Sequence, residues 1–153
     1  MTQPRPGADV ITSAANPRIR AALALRDRRG RDETGRLLVD GTREVLRALE
    51  AGLVVREAFV VDGPRSPDAA SIVARLASLG VPQVAVAGSA WSRLAYGERG
   101  SEVVAVVDAP PTDLSRMEAI VGARADPLLI VVEDAEKPGN LGAIARSADG
   151  ASV

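Results

Sequence analysis

Residues 36–61, RLLVDGTREVLRALEAGLVVREAFVV, decide the fold class. Leu37, Leu38 and Val39 form a short apolar strand, ended by Asp40-Gly41. The period then changes. Val45, Leu46 and Leu49 recur at helical spacing, with Thr42 as the expected cap and Gly52 as the stop. From Val54 to Val61 the chain returns to a strand pattern. A strand, a helix and a strand in direct succession mark a layered α/β domain.

The same alternation continues toward the C-terminus. Ser66-Pro67-Asp68 is a cap followed by proline, and Ile72, Val73, Leu76 and Leu79 line one helix face up to Gly80. Gln83 to Ala87 is a third strand, Ser89 is the expected cap of a short helix carrying Trp91 and Leu94, and Glu102 to Val107 is a fourth strand. This order predicts a mainly parallel sheet. Toward the N-terminus, residues 1–12 are expected to be flexible. Asn16-Pro17 opens a helix through about Arg28 with Ile19, Ala22, Leu23 and Leu25 on its apolar side, and Gly30 to Gly35 is expected to be a charged, mobile connection.

Ala109-Pro110-Pro111-Thr112 interrupts the alternation, a helix from Leu114 to Val121 follows, and Leu128 to Val132 reads as the buried-type strand of a new βα unit. The expected organisation is a first domain over 13–109, a linker with a helix over 110–127, and the start of a second domain over 128–153.

Composition restricts the chemistry. Of the 153 residues, 46% are hydrophobic, 25% charged and only 2% aromatic, so the core is aliphatic and base stacking is not a main binding mode. There is no Cys and no His, which excludes disulfides, thiolate metal sites, imidazole bases and thiol nucleophiles. No apolar run reaches membrane-span length and no signal segment is recognisable, so the expected location is the cytoplasm and no membrane partner is expected. The formal net charge of −1 hides a basic segment. Between Asn16 and Arg47, nine arginines face five carboxylates. Such a segment suits RNA or phosphate, or is a solvated helix face with local ion pairs. On one continuous helix, Arg18, Arg26 and Arg29 would fall within about 80° of one another, with Arg20 on the opposite side.

The loop Glu133-Asp134-Ala135-Glu136-Lys137-Pro138-Gly139-Asn140-Leu141-Gly142 precedes a helix that carries Arg146. Its glycines allow close backbone approach, Asn140 can cap the helix or orient a polar group, and Arg146 can clamp a phosphate. By spacing alone it is neither of the common glycine-rich phosphate loops, and a plain strand-to-helix turn with a capping Asn and a surface arginine fits better. The acids Glu133, Asp134 and Glu136 lack further oxygen ligands and read as a solvated loop, so no metal is expected. Trp91 and Tyr96 read as packing residues.

The run PGNLGAIARSADGA, residues 138–151, resembles the first motif of the SpoU/TrmH-type RNA 2′-O-ribose methyltransferases, whose catalytic domains are knotted. Asn140, Gly142 and Arg146 match the motif positions. ITSAANPRIRAALALRDRRGRDETGRLLVDGTREVLRALEAG resembles the opening of that family's substrate-binding domain, an α/β fold like that of some small ribosomal proteins. AYGERGSEVVAVVD resembles its end, although the family more often has Gly where Glu102 stands.

The resemblance implies methyl transfer from S-adenosylmethionine to a ribose 2′-hydroxyl of ribosomal RNA, and a homodimer. It implies catalytic roles for Arg146 and Asn140, and substrate contacts by Gly142 and by Arg18, Arg20, Arg26, Arg28 and Arg43 of the basic segment. Arg146 as general base and Arg146 as phosphate clamp both remain open, although the cost of deprotonating a guanidinium favours the clamp. The family's two cofactor-binding motifs would lie beyond Val153. The resemblance therefore implies no cofactor site within these residues, a first βα unit without the rest of its domain, and no methyltransferase activity of this chain alone. The alternatives are a non-enzymatic RNA- or ribosome-binding module and a nucleotide-binding α/β protein using the PGNLG turn.

Overall fold

The computed structural model describes residues 10–63, 65–95, 101–135 and 137–151. Tyr96, Glu136 and Val153 lie outside the described residues, as do residues 1–9 and 96–100. The chain divides into two compact units, Met1–Pro110 and Pro111–Val153.

The first unit contains α1 (Pro17–Ala24), α2 (Arg28–Thr34), β1 (Arg36–Asp40), α3 (Thr42–Glu50), β2 (Val55–Val61), α4 (Pro67–Ser78), β3 (Gln83–Val86), α5 (Gly88–Leu94) and β4 (Val103–Asp108). The four strands form one sheet in the order β1-β4-β2-β3. The α/β class holds, but the sheet is not mainly parallel. β4 runs antiparallel to both β1 and β2, and only β2 and β3 are parallel. The cause is where the chain re-enters the sheet. The Val61 amide donates to the Glu102 carbonyl, so β4 starts where β2 ends and runs back between β1 and β2. An apolar run such as Val103 to Val107 reads the same in either direction, so periodicity carries no sign.

Helices cover both faces. On one face Ile19, Ala22 and Leu25 of the α1 segment and Ala90 and Leu94 of α5 pack on Phe59, Val84, Val86, Val104 and Val106. On the other, Val45 and Leu49 of α3 and Ala69, Ile72 and Leu76 of α4 pack on Val55, Ala58, Val103, Ala105 and Val107. The opposite sides taken by Ala58 and Phe59, and by Val103 and Val104, are the period of two expected of a strand. β4 is buried on both faces over Val103–Val107, which explains its unbroken apolar run.

Several local expectations change. Asn16 does cap α1, its Oδ1 accepting the Arg18 amide at 2.9 Å. Ser66 caps α4 through a bond from the Ala69 amide. Thr42 is instead the first residue of α3 after Gly41, whose φ of 123° favours glycine. Ser89 does not cap α5 but donates its hydroxyl to the Thr12 carbonyl. Leu79 lies past the end of α4 and is 60% exposed, because the chain turns there before Gly80 at φ 72°. Residues 11 and 12, expected to be flexible, are bonded: the Ile11 amide donates to Ala85 and its carbonyl accepts from Ala87 at the sheet edge, and the Thr12 carbonyl accepts from Ala90 of α5.

The segment read as a mobile connection is helix α2. Arg28–Asp32 and Arg29–Glu33 pair at i,i+4 along it, and Gly35 closes it at φ 62°. Gly30 lies against the α1 end so closely that a Cβ there would sit 2.1 Å from the Ala24 carbonyl oxygen. Propensity alone favours Gly→Ala inside a helix by about 1 kcal/mol. Here the neighbour is backbone and cannot swing aside. Gly30→Ala is therefore expected to destabilise the first unit by about 1–3 kcal/mol, the range for overpacking. Urea unfolding followed by circular dichroism reads it, and a stabilised variant would refute the contact.

The second unit contains α6 (Leu114–Gly122) and α7 (Pro138–Gly150). α6 is capped by Asp113, whose Oδ1 accepts the Arg116 amide at 2.9 Å. The Ser115 hydroxyl and then that amide hold the Asp113 carboxyl below its usual range. The expected strand Leu128–Val132 does not form. Its side chains are 39–93% exposed, and no strand pairs with it among the described residues. A strand is stable only within a sheet that satisfies its backbone groups. A cleft of about 490 Å³ within this unit is lined by α6 residues Met117 and Ile120, by Leu128–Ile130 and by Ala148 of α7. Among the described residues, no helix is long and apolar enough to cross a membrane.

Candidate functional site

α7 carries the residues singled out by the PGNLG motif. Pro138 starts the helix, where its missing N–H costs nothing. Asn140 is the third helical residue rather than the cap: Lys137 occupies the cap position, with no side-chain bond, and its carbonyl accepts the Asn140 amide at 2.9 Å. Gly142 and Arg146 are one turn apart on one side. The guanidinium folds back, so that a Cβ at position 142 would sit 3.5 Å from Arg146 Nη1. At about 100° per residue, Asn140 lies about 120° around the helix from Arg146. The helix thus brings Gly142 and Arg146 together and sets Asn140 on a neighbouring flank.

The surroundings are open. Asn140 and Arg146 are exposed, Gly142 and Ala148 half-buried. Asp134, exposed with Glu133 in the preceding loop, is the non-glycine residue with left-handed backbone, at φ 54°, among the described residues. Among those residues, no cluster of three acids could hold a metal ion.

The arginines of the basic segment separate by partner. Arg18 pairs with Glu57 of β2. Arg26 donates to the Leu94 carbonyl at the end of α5, at 2.9 Å. Arg28 and Arg29 pair with acids of their own helix. Arg31, not among the sequence candidates, donates to the Leu25 and Arg26 carbonyls that α1 leaves unsatisfied. Arg20 and Arg43 are exposed and have no such bond. The expected grouping of Arg18, Arg26 and Arg29 on one helix face fails, because α1 ends at Ala24 and Arg29 belongs to α2. Trp91 is half-buried against the α1–α5 cluster, as a packing residue.

One ion pair was invisible in the sequence. Arg56 grips Asp108 with two nitrogens, Nε at 2.9 and 3.0 Å and Nη2 at 2.6 Å. Next to it the Ala109 amide donates to the Gly35 carbonyl, fixing the end of β4 just before the prolines. The hydrogen bond from Arg56, with the charges of Arg56 and Arg36, holds the Asp108 carboxyl below its ordinary value. A depressed folded-state pKa contributes stability above the unfolded value of about 4, lost as pH falls through the folded one. Asp108→Asn is therefore expected to flatten the acid limb of the stability curve below about pH 4. A variant losing stability in parallel with the wild type from pH 6 to 2 would show that the pair contributes nothing.

Residues 16–105 match the family model of the MRM3-like substrate-binding domain. The chain belongs to the SpoU/TrmH family. It is 37% identical over 148 residues to the 23S rRNA (uridine(2479)-2′-O)-methyltransferase of Streptomyces viridochromogenes, covering 94% of this chain and 48% of that protein. It is 28% identical to the 23S rRNA (guanosine(2553)-2′-O)-methyltransferase of Bacillus subtilis, covering 94% and 51%. A crystal structure of an RNA 2′-O ribose methyltransferase superposes with a TM-score of 0.74 at 32% identity, over 94% of this chain and 52% of that one. The SpoU methyltransferase AviRb from Streptomyces viridochromogenes, solved with the cofactor AdoMet, gives 0.68 at 32% identity, over 88% and 48%. The chain therefore spans about half the length of the curated relatives it matches. This family membership agrees with the ordered motifs at residues 11–52 and 138–151.

Proposed function

We propose that this SpoU/TrmH chain is the RNA-handling half of an S-adenosylmethionine-dependent 2′-O-ribose methyltransferase acting on ribosomal RNA. Residues 13–109 hold the RNA, residues 110–127 connect, and residues 128–153 open the methyltransferase domain. The match of residues 16–105 to a substrate-binding domain carries this reading, together with the 23S rRNA enzymes among its relatives. Within α7, Arg146 pairs with the phosphate beside the target ribose and lowers the pKa of its 2′-hydroxyl. Its planar guanidinium can offer two parallel donors to that phosphate. Gly142 lies beside that guanidinium, a Cβ there reaching ordinary contact distance of Nη1 at 3.5 Å, and its backbone is open to the sugar. Asn140, from the neighbouring flank, orients the nucleotide. When bound, S-adenosylmethionine supplies the methyl group.

The exposed Leu128–Val132 run supports the domain assignment. Five adjacent large apolar side chains in water are the composition of a strand belonging inside a sheet. The enzyme works in the cytoplasm as a homodimer in this reading, supported by the family resemblance. Two titrations test it. The 153-residue chain should bind 23S ribosomal RNA and should show no heat with S-adenosylmethionine. Micromolar cofactor binding would overturn the placement of the cofactor site outside these residues. Absent RNA binding would overturn the substrate-binding role.

A further inference from the structure

The two ends of the first unit's sheet differ in charge. One end holds the start of β1 and β2 and the last residue of β4, Arg36, Val55 and Asp108. The C-terminal turns of α3 and α4 lie there as well, since the chain runs from them directly into β2 and β3. This exit end carries Arg36, Arg47, Arg56 and Arg75 against Glu50 and Asp108. α2, which runs into β1 at this end, adds three arginines and, with its capping Asp27, three acids, so it does not change the sign. The opposite end carries Asp40, Glu44, Asp62, Asp68 and Glu102 against Arg43 and Arg65. Acids in the first helical turns and arginines in the last complement the helix dipoles. Each helix terminus contributes about half a charge of opposite sign. For α3 and α4 that is about one charge at each end, too little to invert either surplus.

We propose that the exit end is the surface on which this domain takes up RNA, with Arg36 and Arg75 as its phosphate contacts. This rests on the substrate-binding reading of residues 16–105 and adds the surface it uses. Two observations carry it. Among the described residues the side chains of Arg36 and Arg75 make no hydrogen bond or ion pair, although the Arg36 charge acts on Asp108, whereas Arg18, Arg26 and Arg28 are each bonded to another group of the protein. Arg43, though free, stands among carboxylates that repel phosphate.

The test is filter binding of 23S ribosomal RNA purified from Bacillus subtilis to the full chain over a KCl series. Arg36→Ala/Arg75→Ala is compared with Arg20→Ala/Arg43→Ala, which removes the same charge. Circular dichroism confirms that both fold. The exit-end double variant should bind on the order of tenfold more weakly at low salt and lose about 1.4–1.8 from the log–log salt slope, two contacts' worth. The other should lose less on both counts. A larger loss in Arg20→Ala/Arg43→Ala, or an unchanged exit-end variant beside a binding wild type, overturns the surface and leaves the RNA reading standing. A wild type that does not bind RNA even at low salt overturns both.

Discussion

Phe59→Ala should destabilise the first unit by about 3–5 kcal/mol, the cost of emptying a large buried aromatic position. Phe59 is fully buried, the largest such side chain described, and packs in the cluster that joins α1 and α5 to the sheet. The buried neighbours in that cluster are aliphatic, with Trp91 half-buried at its edge. Against a typical stability of about 5–15 kcal/mol, the loss removes about a fifth or more. It should lower the midpoint on the order of 15 °C for a domain near 100 residues. Differential scanning calorimetry measures it. Leu79→Ala is the control, since Leu79 is exposed despite its helical spacing and should change stability by no more than about 0.5 kcal/mol. Equal losses at the two positions would contradict the packing described.

On the function proposed above, Arg146→Ala in a chain of its relatives' full length should lower the rate of 2′-O-methyl transfer by about 100- to 1000-fold, with little effect on RNA affinity. That range is what removing one group stabilising developing charge in a transition state costs. Arg146 is exposed on α7 and bears no structural bond among the described residues, so its removal leaves the fold intact. Tritium transfer from S-adenosylmethionine to 23S ribosomal RNA reads the rate, and filter binding reads the affinity. Arg146→Lys separates the roles: a clamp that needs two parallel bonds is not restored by an ammonium point charge. A variant with unimpaired turnover would remove Arg146 from the site. One that loses RNA affinity as steeply as rate would make it a binding residue only.

How much was legible in the sequence depended on the range of each interaction. The α1 and α4 starts were readable because Asn16 and Ser66 bond to amides two or three residues away. The Gly142–Arg146 proximity was readable for the same reason, being one helical turn. α2 was misread because its glycine looked like a break, whereas it allows close approach to Ala24. The arginines were overcounted as RNA contacts, since Arg18 meets Glu57 and Arg26 meets Leu94, partners 39 and 68 residues away. The Asp113 cap could have been read from an aspartate standing directly before the helix; the Arg56–Asp108 clamp, 52 residues apart, could not.

By itself the sequence determined the α/β class, the strands of the first sheet, the motif on α7 and, through that motif, the family. All of these rest on local periodicity or on short runs of identical residues. Tertiary structure alone decided that β4 lies antiparallel between β1 and β2, that Leu128–Val132 is not a strand in this chain, and which arginines remain free. Strand direction and pairing are set by hydrogen bonds between distant segments, and a charge is free or spent according to what the fold brings beside it. Neither quantity is written in any window of neighbouring residues.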